Sequence, residues 1–365
     1  MSQETSNSQP VKQSEPKSAT MVALFVFFLS NFILNVMLLQ GPSKYMDTNL
    51  AQSRDVYAFA ESAAQKPDVA FFGSSVVEVP LALMDDKDEY VSIAKTAQAE
   101  LSDYCKTKKS VYVYAIEAGL ISDQLLIFNR LLEWGKLGKH NVLAVTPRDF
   151  GDSRIPAKNL SDTYRSLLLP GDFDLLPLYH DSFIDWTDYI LTRTVYIYKN
   201  KSTLSNYIKG FFAGVETSIL GLPASIAQEK PTDQERFQNT LNEYVQVYDY
   251  LEKNDSLKIQ TAFLERLVSF CKKQNVEIIL VNLPLTAENR ALMKPGFYDK
   301  FSDTLKKIAL ENSTTYIDFS SDPKFAGHDV FHDSAHLNKL GGKRLIESLA
   351  PQLCRTAVDE GASSR

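Results

Sequence analysis

The chain has 365 residues, 44% hydrophobic and 23% charged, enough for one large domain or two small ones with a sizeable core. Its formal net charge of −6 gives no basic surface for nucleic acid, which is excluded as an expected partner. The three cysteines, Cys105, Cys271 and Cys354, form no CxxC pair and no Cys/His cluster, so no zinc pattern is present; an odd count leaves at least one thiol free or paired between chains.

Residues 1–20 are polar, rich in Ser, Gln, Glu and Lys, and lack an apolar period, which predicts a disordered tail. Residues 21–40 then run MVALFVFFLSNFILNVMLLQ without a charge. About 20 residues at 1.5 Å each cover a hydrocarbon core of ~30 Å, so this run predicts a transmembrane anchor. A cleaved signal peptide is the rival reading, but the following LQGPSKYMD has no small-x-small cleavage pattern. Lys12 and Lys17 precede the run and Lys44 follows it, which places the N-terminus in the cytoplasm and the rest on the periplasmic or extracellular side.

The remainder, 45–355, alternates short apolar runs with amphipathic stretches. VAFFGS (69–74), VYVYAIE (111–117), NVLAVTP (141–147), VEIILVNLP (276–284) and TTYIDFS (314–320) predict strands. The stretches 91–106, 122–138, 257–274, 297–310 and 337–350 predict helices. Such alternation implies a parallel sheet covered on both faces, with ligands beyond the carboxyl ends of its strands. Residues 155–256 interrupt the pattern and read as a mostly helical insertion, either a second structural layer or a cap over the site. Residues 356–365 form a second polar tail.

Two segments carry candidate chemistry. The first strand ends in Phe72-Gly73-Ser74-Ser75-Val76, which sets a hydroxyl at the mouth of the sheet and aims backbone N–H groups of the turn at the same point. An acyl-transfer nucleophile needs an exposed oxygen beside such donors. Near the other end stands Asp333-Ser334-Ala335-His336-Leu337, a carboxylate three residues before an imidazole at a helix entrance. That carboxylate can fix the imidazole tautomer and stabilise the imidazolium. His328 and His332 lie close by, but no matching ligand set appears elsewhere, so no metal and no cofactor is expected.

Together, G-x-S after the first strand and D-x-x-H before the last helix resemble the SGNH/GDSL hydrolase superfamily. The resemblance implies a flavodoxin-like three-layer α/β/α fold, with Ser75 as nucleophile, His336 as general base and Asp333 as its orienter. It also implies an oxyanion hole from the N–H groups of Ser75 and Gly119, the latter in AIEAGLISDQ. TPRDF (146–150) stands where the family carries Gly-x-Asn-Asp; the asparagine is missing, and Arg148 is either a replacement donor or part of a salt bridge. The G-S-S in place of G-D-S, the N-terminal anchor, Asn282-Leu283-Pro284 after the fourth strand and D-x-x-H-L resemble the membrane-anchored acyl-transfer branch. That branch includes the D-alanine transfer protein of teichoic-acid modification and accessory proteins of exopolysaccharide O-acetylation. The resemblance then implies Ser74 and Asn282 as substrate contacts, an envelope polymer or glycan as substrate, and a multispanning membrane O-acyltransferase as partner. The expected activity is that of a serine O-acyltransferase or esterase; the alternative is a non-catalytic scaffold in envelope polymer assembly.

Overall fold

The computed structural model describes residues 17–38, 66–87, 92–155, 158, 161–168, 172–180, 182–194 and 231–355. The tails at 1–16 and 356–365, and 195–230 of the expected insertion, lie outside the described residues.

The chain divides into two compact units. The smaller takes residues 1–45 and 182–225. Its described elements include helix α1 (Lys17–Leu38), which begins before the apolar run, so 17–20 are helical where a disordered tail is expected. The described side chains of α1 are exposed and mostly large and apolar, among them Met21, Phe25 and Phe28. Among the described residues no helix is long and apolar enough to cross a membrane.

The larger unit holds a five-stranded sheet. Strands β1 (Val69–Phe72), β2 (Val111–Val113), β3 (His140–Val145), β4 (Ile278–Asn282) and β5 (Thr315–Asp318) lie in the order β2-β1-β3-β4-β5. All neighbours pair in parallel, Val69 opposite Val111 and His140, Val145 opposite Asn282. Parallel neighbours need crossovers, and helices supply them: α2 (Ser75–Met84), α3 (Lys95–Cys105) and α4 (Ile121–Glu133) in the first half. The expected insertion then contributes α5 (Asp162–Leu167), α6 (Leu176–Tyr179), α7 (Phe183–Thr194) and α8 (Asp233–Lys253), of which α7 belongs to the smaller unit. Helices α9 (Ser256–Lys273), α10 (Ala287–Ala291), α11 (Phe297–Asn312) and α12 (Lys339–Leu353) complete the larger one.

The period of two in the strands sorts their side chains onto two covered faces. Val69 and Phe71 join a core with Val77 and Leu81 of α2, Leu101 of α3 and Leu345 and Leu349 of α12. Phe72 points the other way, its ring 5.4 Å from Tyr114 and 4.7 Å from Phe128 of α4. Each such fully buried ring contributes about 2–3 kcal/mol. Because both faces are covered, β1, β3 and β4 are buried at every position, which is why they read as mostly apolar runs, with the buried polar exceptions His140, Asn141 and Asn282 at strand ends.

Cys105, the last residue of α3, is disulfide-bonded to Cys354, just past α12, across 249 positions of sequence. Cys271 in α9 is buried and free. The odd thiol is thus a core residue of the unit.

The order β2-β1-β3 sends the chain outward in opposite directions on either side of β1. In doubly wound sheets the crevice at that switch point, beyond the carboxyl ends of the strands, is where ligands bind. Ser75 emerges there.

Candidate active site

The turn after β1 depends on Gly73. Its φ is +150°, and a Cβ there would sit 2.5 Å from the Ala144 carbonyl of β3, so no side chain fits. Ser74 is extended, and its carbonyl accepts the N–H groups of Val77 (3.0 Å) and Glu78 (3.2 Å). Ser75 is therefore the first residue of α2, with its own N–H among the unbonded donors of a helix start. It is half-buried, while Ser74 is fully buried.

The histidine arrives on a short hairpin. Phe331 and Leu337 form an isolated antiparallel bridge, and the His332 N–H donates to the His336 carbonyl at 2.8 Å. Inside this loop Asp333 Oδ1 accepts the N–H groups of Ala335 (2.8 Å) and His336 (2.9 Å). The carboxylate also reaches His336 Nδ1, at 2.9 Å from Oδ1 and 2.8 Å from Oδ2. On the far side of the ring, His336 Nε2 lies 2.9 Å from Ser75 Oγ. With the carboxylate at Nδ1, the proton of a neutral ring belongs on Nδ1, leaving the Nε2 lone pair for the serine proton.

Burial works to raise the Asp333 carboxyl, but the His336 imidazole and the N–H groups of Ala335 and His336 more than offset it. The carboxyl is lowered from 3.8 to about 2 and stays ionised. The sequence-predicted nucleophile, base and orienter are thus one hydrogen-bonded chain.

The chain matches no protein-family model and no curated protein. It is similar to solved structures. A candidate platelet activating factor from Streptococcus pneumonia is 11% identical, with a TM-score of 0.41 over 92% of this chain and 99% of that one. A candidate acylhydrolase from Bacteroides fragilis is 13% identical, with a TM-score of 0.38 over 85% and 99%. The acetylxylan esterase Axe2 from Geobacillus stearothermophilus is 12% identical, with a TM-score of 0.37 over 80% and 95%. At these identities and TM-scores the likeness decides neither family nor activity.

The other expected site residues are placed differently. Gly119 has its N–H committed to the Ile116 carbonyl at 3.1 Å, so it is a turn donor and not a free oxyanion donor. A Cβ on Gly119 would meet Ile116 Cγ1 at 2.6 Å, which explains the glycine on packing grounds. Arg148, only 3% exposed, donates from Nη2 to Asp152 Oδ2 (2.6 Å) and from Nη1 to the Gly119 carbonyl (3.2 Å). It is the salt-bridge alternative that this geometry realises. Asn282 is fully buried and donates to Asp318 Oδ1 at 3.1 Å while accepting from Tyr298 Oη at 3.3 Å. Neither it nor the buried Ser74 offers a group to a substrate. Ser75 N–H remains of the expected oxyanion donors.

The three clustered histidines have separate partners. His328 Nε2 pairs with Glu288 at 3.1 Å, and His332 Nδ1 accepts from Arg236 Nη1 at 3.1 Å. Burial and then the Arg236 cation hold His332 below its ordinary 6.5.

Behind the nucleophile sits Asp149, buried, with Oδ2 accepting from Thr146 N–H at 2.7 Å. Burial raises its carboxyl, against the lowering effects of Arg148, the Ser74 hydroxyl and Thr146. Its Oδ1 and Ser74 Oγ are buried without a partner in hydrogen-bond geometry. Sequence reading missed Arg236, Tyr248 and Asn289 around the Asp333 loop; each lies on a helix whose own pattern signals only burial or solvent.

Proposed function

We propose that this chain is a serine-dependent acyl-ester enzyme of the SGNH type, an O-acyltransferase or esterase, on a flavodoxin-like three-layer unit. One observation carries the reading: His336 bridges Ser75 Oγ and the Asp333 carboxylate within 2.9 Å on either side. Ser75 Oγ attacks the carbonyl carbon of an acyl ester while its proton passes to His336 Nε2. Asp333, ionised and fixed by two backbone N–H groups, stabilises the imidazolium. The carbonyl oxygen takes the negative charge beside the Ser75 N–H at the start of α2. Collapse breaks the bond to the leaving alcohol, which takes the proton from His336, and leaves the acyl group on Ser75. A hydroxyl of a cell-envelope polymer, or water, then accepts the acyl group by the same steps reversed.

The setting we propose is the outer face of a cell membrane. Support comes from the uncharged run 21–40, from the exposed apolar side chains of α1, and from the Cys105–Cys354 disulfide, which persists in oxidising compartments. A membrane O-acyltransferase that delivers the acyl group is the partner this setting calls for.

One observation favours a second reading, a non-catalytic scaffold that binds glycan or a membrane partner: Gly119 N–H and Arg148 are already engaged, leaving few oxyanion donors. A fluorophosphonate separates the two. Covalent labelling of the unaltered chain and none of Ser75→Ala supports the enzyme; no labelling of either supports the scaffold.

A further inference from the structure

We infer that Asn289 is a positioning residue for the Asp333–His336 pair, holding their loop through Ser334. The inference rests on the reading of Ser75, His336 and Asp333 as one catalytic unit. Asn289 lies in the short helix α10 and is fully buried. Its Oδ1 accepts from Tyr248 Oη of α8 at 2.6 Å, and its Nδ2 donates to Ser334 Oγ at 3.2 Å. Its backbone N–H is held by the N-cap Thr286, whose Oγ1 accepts it at 3.2 Å. The same Thr286 hydroxyl donates to the Ser334 carbonyl at 2.9 Å. Ser334 stands between Asp333 and Ala335 and is itself fully buried, so its hydroxyl and its carbonyl are both tied to the first turn of α10.

A buried amide and three buried hydroxyls are a costly way to fill space, since each must find hydrogen-bond partners. An apolar side chain would pack the same volume without that demand. What the polar chain adds is a single geometry, because only one arrangement satisfies every member. The loop needs that. Its internal ties, the Phe331–Leu337 bridge, the His332 N–H to the His336 carbonyl and the N–H groups on Asp333, shape the loop but do not fix it relative to Ser75, yet His336 must keep its two nitrogens within 2.9 Å of Asp333 and of Ser75 on another element. Tyr248, Asn289 and Thr286 supply the reference from outside the loop.

The test compares the full chain with Asn289→Ala and Tyr248→Phe. The readouts are melting temperature, kcat and KM on p-nitrophenyl acetate, and the low-field proton resonance of His336 Nδ1–H. A misplacement of about 1 Å costs about 10²-fold in rate. Asn289→Ala is therefore expected to lower kcat about 10- to 100-fold at unchanged KM and to shift or broaden the resonance. Tyr248→Phe moves both in the same direction by less. Unchanged kcat and resonance in a folded Asn289→Ala protein overturn the inference. So does a fall in kcat that only tracks the unfolded fraction while the resonance stays in place. Should Asn289→Ala fail to fold, Tyr248→Phe decides by the same readouts. If the unaltered chain turns over no ester, the enzyme reading fails, and the resonance alone decides whether Asn289 places His336.

Discussion

His336 Nε2 stands 2.9 Å from Ser75 Oγ although 261 positions separate the two residues. One arrives on the first turn after β1 and the other on the loop before the last helix, and the parallel sheet brings both to the same edge. If the pair acts as a unit, its losses do not multiply. Ser75→Ala is expected to abolish fluorophosphonate labelling and to cut ester turnover by about 10⁴- to 10⁶-fold. His336→Ala should fall nearly as far and the double variant little further. Multiplying losses, measured as kcat/KM on an activated ester, would refute the partnership.

Asp333 links the site to stability. Its carboxyl is lowered to about 2 in the folded chain against an ordinary 3.8. A depressed carboxyl contributes stability that is fully present above about pH 4 and is lost as pH falls toward 2. The shift corresponds to roughly 2 kcal/mol. Asp333→Asn should therefore flatten the stability profile between pH 5 and 2, read by denaturant melts, and also lower turnover. The equivalent change in a protease triad costs about 10⁴-fold.

Much of this arrangement was legible in the sequence, for physical reasons. Strands β1, β3 and β4 are buried at every position, and a short apolar run is what such strands look like, whereas β5, at the sheet edge, is partly exposed and shows instead through its β-branched and aromatic residues. Ser75, Asp333 and His336 were readable because their spacing to a strand end or a helix start is itself the geometry. Gly119 was misread because the fate of an N–H depends on the turn around it: the donor of Gly119 goes to Ile116, three residues back, while for Arg148 the sequence left donor and salt bridge both open and the packing against Asp152 decides for the salt bridge. The insertion reads as mostly helical, but nothing in that pattern states that Tyr248 of α8 would reach Asn289. The disulfide was equally hidden, since only the packing of α3 against α12 brings Cys105 to Cys354.

Arg148 offers a direct test of structure against catalysis. Its guanidinium is buried against Asp152, which keeps a second partner in Arg154 Nη2 at 2.9 Å. Removing one partner of a buried pair costs about 3–5 kcal/mol, and Arg154 sets the expectation at the lower end. Arg148→Met should lower the melting temperature while its folded fraction still labels at Ser75. An oxyanion donor would behave otherwise, with the folded enzyme losing about 10²- to 10³-fold in kcat.

The cysteines separate by accessibility and by bond. Reduction of Cys105–Cys354, or Cys105→Ser with Cys354→Ser, should cost about 2–4 kcal/mol, measured by guanidinium melts with and without reductant. Burial pushes the Cys271 thiol up to about 12, so it stays a thiol at neutral pH. Under native conditions the non-reduced chain should take up no iodoacetamide, and after unfolding it should take up one equivalent. Labelling of the native protein would contradict the burial of Cys271.

His332 sets a second pH dependence, opposite in origin to that of Asp333. Burial and the Arg236 cation hold its imidazole below 6.5, while Asp333 works to raise it and His336 to lower it. Its Nδ1 faces the Arg236 guanidinium, so the ring must stay neutral there to accept that hydrogen bond. As pH falls through 6.5 the unfolded chain takes up a proton that the folded chain refuses, so stability declines as pH falls below 6.5. Arg236→Gln removes the nearby charge and should move the His332 titration upward, which an imidazole proton titration by NMR follows directly. The same variant should lose less stability between pH 7 and 5 than the unaltered chain. An unmoved His332 titration in Arg236→Gln would show that Arg236 neither sets it nor acts on the loop carrying Asp333 and His336.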